Sequence, residues 1–212
     1  EDRRLESPYF NGLVLWEGKS QIDGADICAI VTGILLPSSN RKTGPMIQNW
    51  ILRADLHPHE AIERDLDISV CGECPLRTNL DGKRLCYVSQ MSLGAVYKSY
   101  RSGKYPRYQS TLHAEILAAR ARSYGVRLGS YGDPTAVPLD SFRYYLNIFS
   151  APSTVLTGYT RRWMLSENQE WRRYLMASCF SKTEAALARQ MGWSTFRVRS
   201  SGQQLSPGEV QC

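Results

Sequence analysis

The run Val126-Arg-Leu-Gly-Ser-Tyr131, ending in Gly132-Asp133-Pro134, follows directly on Ser110-Thr-Leu-His-Ala-Glu-Ile-Leu-Ala-Ala-Arg-Ala-Arg-Ser-Tyr124 and Gly125. It reads as a helix closed by glycine, then a short strand broken by a turn. The same rhythm repeats to the end of the chain. Leu139 to Phe149 reads as a helix, Thr154 to Thr160 as a strand, and Ser166 to Trp171 as a short helix. Tyr174 to Ser178 follows as a strand, Lys182 to Met191 as a helix stopped by Gly192, and Thr195 to Arg199 as a last strand. Short strands alternating with helices predict a parallel sheet, open or partly barrel-like.

Upstream the pattern changes. Gly12 to Trp16, Asp26 to Leu36 and Met46 to Arg53 read as strands, with Pro37 to Pro45 a polar loop between the last two. They predict an antiparallel β unit. The fold class is therefore α/β: an N-terminal antiparallel β unit and a cysteine loop, then helix/strand units on a parallel sheet. Residues 1–70, 71–110 and 111–212 form the β-rich part, a basic cysteine-containing segment and the α/β part of one compact domain. At 212 residues, 42% hydrophobic and 22% charged, the chain has ample material for one core. No apolar run has the length of a membrane helix. Clustered cysteines and no secretory signal point to a reducing cytoplasm. The start at Glu1 and the stop on Cys212 read as cut ends.

Cys71-Gly-Glu-Cys74-Pro75 places two sulfurs on one tight turn, and Cys86 follows eleven residues later across Thr78-Asn79-Leu80-Asp81-Gly82. Such a knuckle suits zinc first and an iron–sulfur cluster second. A fourth ligand has to come from elsewhere, and Cys28, Cys179, Cys212 and the histidines are available. The alternative is three reduced structural thiols. Asp55-Leu-His57-Pro-His59 is similar to the first ligand strand of TIM-barrel metallohydrolases. It reads better as a helix start, with Pro58 in the first turn and Glu60 near the N-terminus.

Between Lys83 and Ala114 there is no acidic residue, and Lys83, Arg84, Lys98, Arg101, Lys104 and Arg107 supply six positives. The whole chain has 26 Lys+Arg against 20 Asp+Glu, a net charge of +6, so the surplus is local. Tyr97, Tyr100, Tyr105 and Tyr108 are interleaved with the bases. Bases for phosphates and rings for unpaired nucleobases make this a nucleic-acid-binding run. The plainer reading packs the tyrosines inward and leaves the charges in water. A second candidate site lies at the predicted carboxyl ends of the parallel strands. There Asp133 is read as an acid/base, and Arg161, Arg162 and Arg197 as clamps for a phosphorylated substrate.

Asn40-Arg-Lys-Thr-Gly-Pro-Met46, Cys-x-x-Cys-Pro with Cys86-Tyr87, Gly132-Asp-Pro134, Thr157-Gly-Tyr-Thr-Arg-Arg-Trp163 and Gly192-Trp-Ser-Thr-Phe-Arg-Val198 occur in that order. As a set they resemble phage and prophage proteins called gene 88 proteins, over residues 38 to 212. The resemblance implies a phage or mobile-element setting in a bacterial host. It also implies that Cys212 opens a second ligand group. The order of features also resembles radical-SAM-like barrels, but the Cys-x3-Cys-x2-Cys that binds their catalytic cluster is missing. Three functions stand as expectations. One is a metal-stabilised nucleic-acid-binding protein acting in replication, repair or counter-defence. The others are an α/β enzyme working at the strand edge, and a subunit docking an acidic protein partner.

Overall fold

The computed structural model describes residues 10–38, 44–77 and 84–211. Glu1–Ser7, Asn40–Thr43, the Thr78–Gly82 turn, Lys83 and Cys212 lie outside the described residues. Seven strands form one sheet in strictly sequential order. The strands β1 (Gly12–Lys19), β2 (Asp26–Thr32) and β3 (Ile47–Arg53) pair antiparallel. From β3 onward the sheet is parallel, through β4 (Val126–Tyr131), β5 (Leu156–Thr160), β6 (Met176–Cys179) and β7 (Thr195–Arg197). The sheet is mixed, with an antiparallel N-terminal part and a parallel part as predicted, and of the open and partial-barrel alternatives it takes the open one.

Six α-helices are described: α1 (Pro58–Glu63), α2 (Ile68–Cys71), α3 (Gln90–Arg101), α4 (Thr111–Tyr124), α5 (Leu139–Phe149) and α6 (Lys182–Gln190). Ser166–Arg173 is a 3-10 helix. Local chemistry sets several boundaries. Ser110 and Ser181 cap α4 and α6 by accepting from His113 N and Glu184 N. Gly125 ends α4 at φ 74°, where an added Cβ would stand 2.7 Å from the Val155 carbonyl oxygen, so only glycine fits. His57 caps α1 through its ring, with Pro58 in the first turn, as the helix-start reading requires. Helices α2 and α3 are additions to the predicted elements, and the helical part of the basic run stops at Arg101.

Sequential strand order has a consequence for the two faces. Right-handed crossovers that each advance one strand place α4, α5, the 3-10 segment and α6 on the same side of the sheet. The crossover elements bring in large buried rings, with Phe142 and Phe149 of α5 and Trp171 of the 3-10 segment essentially without exposure. Each such ring contributes roughly 1.5–3 kcal/mol by leaving water. On the opposite face α3 covers the antiparallel end, where Tyr100 reaches the Glu17 carboxylate on β1. Val14 on the outer strand pairs with the segment after α3, donating to Pro106 O and accepting from Tyr108 N. Farther along this face, Thr157, Tyr159, Met176, Ser178 and Phe196 are only half-buried.

Candidate functional site

Helix α2 delivers Cys71 to the carboxyl edge of the parallel strands, and Gly72 at φ 58° turns the chain away from the helix. The loop is then folded back by one buried acid. Asp67, 1% exposed, accepts from Arg77 Nη1 at 2.8 Å, Arg84 Nη1 at 2.7 Å and the Tyr131 hydroxyl at 3.3 Å. Arg77 follows Cys74 and Arg84 precedes Cys86, so one carboxylate clamps both flanks of the loop. Backbone bonds assist, from Arg77 N to Cys74 O and from Leu85 N to Leu76 O, both 3.0 Å. Burial works against the Arg84 charge, but the hydrogen bond and charge of Asp67 more than offset it and raise its pKa.

Cys71, Cys74 and Cys86 are free and half-buried, and they stand close enough to act on one another electrostatically. Burial pushes the Cys71 thiol well up, and the charges of Asp67, Cys74 and Cys86 add to it. Burial also raises Cys74, with Cys86 and Asp133 contributing in the same sense. Tyr131 completes the wall, its phenol driven up by burial and then by Cys71 and Asp67. Among the described residues, no three His, Cys, Asp or Glu side chains stand at metal-holding geometry. An ion would have to draw the three sulfurs together. The donor set itself fits a thiophilic metal, which binds the thiolate form and would stabilise it against the burial that raises Cys71 and Cys74.

The strand-edge constellation is not assembled as predicted. Asp133 is buried, and its carboxylate receives four donors: Thr135 N at 3.0 Å, and Thr135 Oγ1, Thr160 Oγ1 and Arg161 N, each at 2.9 Å. It joins the ends of β4 and β5, with no hydrogen-bond direction left for a substrate. Burial raises its pKa against the lowering effect of those bonds. The guanidiniums expected to face it are engaged elsewhere. Arg161 grips Glu184 through two 2.7 Å bonds, Arg197 grips Glu209 through two of 2.6 Å, and Arg162 donates to Thr135 O at 2.9 Å.

The basic run keeps its charges but not its rings. Tyr97 and Tyr100 are 8% and 7% exposed and belong to the core. Tyr105 is half-buried against Gly12, where a Cβ would meet its ring at 2.4 Å. None of these three is a free stacking face, because Tyr97 and Tyr100 form the buried face of α3 and Tyr105 packs on Gly12 of β1. Arg107 pairs with Glu17 at 2.6 Å, and Arg101 donates to Ala54 O at 3.0 Å. Lys98, Arg101 and Lys104 are exposed. The TIM-hydrolase likeness also falls away, since His57 serves as a cap and His59 Nε2 lies 3.0 Å from Gln90 O.

The residues that sequence reasoning missed are Asp67, Arg77 and Arg84 as a unit. Their ion pairs span ten and seventeen positions, so no local pattern announces them. Arg84 stood in the counted charge surplus, but its engagement inside the protein was not visible there. No family model, curated protein or solved structure matches the chain.

Proposed function

We propose that this chain is an α/β metal–thiolate protein that binds its ion through Cys71, Cys74 and Cys86 at the carboxyl edge of its parallel sheet. The observation that carries the reading is the double clamp of Asp67 on Arg77 and Arg84, which ties the segment after Cys74 to the segment before Cys86. Zinc is the first choice, as a thiolate ion needing no redox partner, and an iron–sulfur cluster the second. Cys212 is proposed as a further ligand only through the resemblance to gene 88 proteins, as is a phage or mobile-element setting. In parallel α/β proteins this edge is where substrates bind, which supports an enzyme acting there over a purely structural staple. The test is metal content after purification without oxygen, for the wild type and for Cys71→Ser, Cys74→Ser and Cys86→Ser. About one equivalent in the wild type, lost in each variant, supports the reading, and a metal-free wild type refutes it.

Nucleic-acid binding is a second reading, carried by the exposed Lys98, Arg101 and Lys104 within a chain of net charge +6. On this reading the run contacts phosphates without base stacking. Docking to an acidic protein partner would use the same charges.

A further inference from the structure

The interior arginines of this protein share a habit that one of them breaks. Arg77, Arg84, Arg161 and Arg197 each hold a carboxylate. Arg127, the second residue of β4 and 7% exposed, has none among the described residues. Its Nη2 donates to the Tyr87 hydroxyl at 2.5 Å, and its guanidinium lies 5.7 Å from the Tyr87 ring centroid. A guanidinium carries five donors, and a buried cation without a counter-anion is costly to keep.

Register places Arg127 beside Gln48 of β3 and Thr157 of β5, on the sheet face that the crossover helices leave open. Val126 and Leu128, its neighbours along the strand, are fully buried on the other face. Two strands of that open face add an aromatic wall, with the Tyr159 and Phe196 rings 4.4 Å apart at 40°. Tyr87, 70% exposed, lies beside the Arg127 guanidinium at the rim of this region. The pieces are a fork-shaped donor for an oxyanion, and flat apolar faces beside it for a ring.

We propose that Arg127 is the anion anchor of a ligand site on the open face of the parallel sheet. The site takes a small molecule that joins a phosphate or carboxylate to a planar ring. Tyr159 and Phe196 form the platform for the ring, and Tyr87 is the cover whose hydroxyl holds Arg127 until the anion replaces it. The site goes beyond the thiolate reading: Arg127, Tyr159 and Phe196 lie outside the cysteine loop, and only the cover Tyr87, next to Cys86, adjoins it.

The experiment is thermal unfolding of the full chain, as purified and after chelation, titrated at constant ionic strength with adenosine 5′-monophosphate or inorganic phosphate. The wild type should show a saturable rise in Tm with both, at least tenfold tighter for the nucleotide, and the rise should survive chelation. Arg127→Met should unfold at or above the wild-type temperature without ligand, because it removes a buried unpaired charge, and should bind the nucleotide at least tenfold more weakly. An unresponsive wild type, or an Arg127→Met protein with undiminished response, overturns the proposal. Should Arg127→Met fail to fold, its guanidinium is structural and the proposal also falls, unless Tyr159→Leu selectively loses the preference for nucleotide over phosphate. A response lost on chelation would assign the ligand to the metal and not to Arg127.

Discussion

Asp67 is the residue on which the loop depends. Two guanidiniums and a phenol converge on one carboxylate that is 1% exposed. Replacing it with Asn keeps the shape and removes the charge, leaving Arg84 partly desolvated without its counter-ion and Arg77 with Asp65 alone. The expected loss is about 3–5 kcal/mol in urea unfolding, the range for breaking a buried pair from one side. Metal uptake should fall with it, because Cys86 is no longer held near its partners. Glu184 gives a pH signature. The hydrogen bond from Arg161 holds its carboxyl below the ordinary 4.5, so the native state binds fewer protons than the unfolded chain in that range. Its contribution is complete above pH 4.5 and is lost as the pH falls through the lowered folded value. Glu184→Gln should therefore flatten the acid limb of the stability curve below pH 4.5, by about 1 kcal/mol at most for a partly exposed pair. A limb as steep as that of the wild type would show that this pair contributes little.

At the scale of elements, the second half of the chain was legible because each unit carries its own punctuation. Ser110 and Ser181 open helices, Gly125 closes one, and Gly132-Asp133-Pro134 ends a strand. Helix α3 was less so, because Gly103 and Pro106 argue against one continuous helix and the tyrosines fit stacking rings as well as an inward-packed face; Tyr97 and Tyr100 are its buried face. Periodicity cannot tell an aromatic that packs inward from one that waits for a base, and here packing against β1 and β2 decided it. The charges of α3 remain outside. Lys98→Ala with Lys104→Ala should reduce the salt slope of single-stranded oligonucleotide binding by about 0.7 per charge if the run contacts phosphates. An unchanged slope removes α3 from any such interface.

For the whole molecule, the mixed sheet follows from patterning, since antiparallel strands announce themselves by close spacing and parallel ones by the helices between them. The site was less readable. Cys71, Cys74 and Cys86 were visible as types at a spacing, but Asp133, Arg161, Arg162 and Arg197 were assigned to chemistry that their partners now occupy. Strand ends collect polar residues whether they bind a ligand or bind one another, and only the tertiary pairs with Glu184, Glu209 and Thr135 distinguish the two. Arg127 escaped notice for the converse reason, as a base inside a short apolar strand. No helix among the described residues is long and apolar enough to cross a membrane. The proposed function rests on the thiolate centre. Its most direct test is X-ray absorption at the metal edge of protein purified without oxygen. A first shell containing three sulfurs, at ~2.3 Å if the metal is zinc, is the predicted result. A shell of nitrogen and oxygen alone, or no metal to absorb, would contradict it.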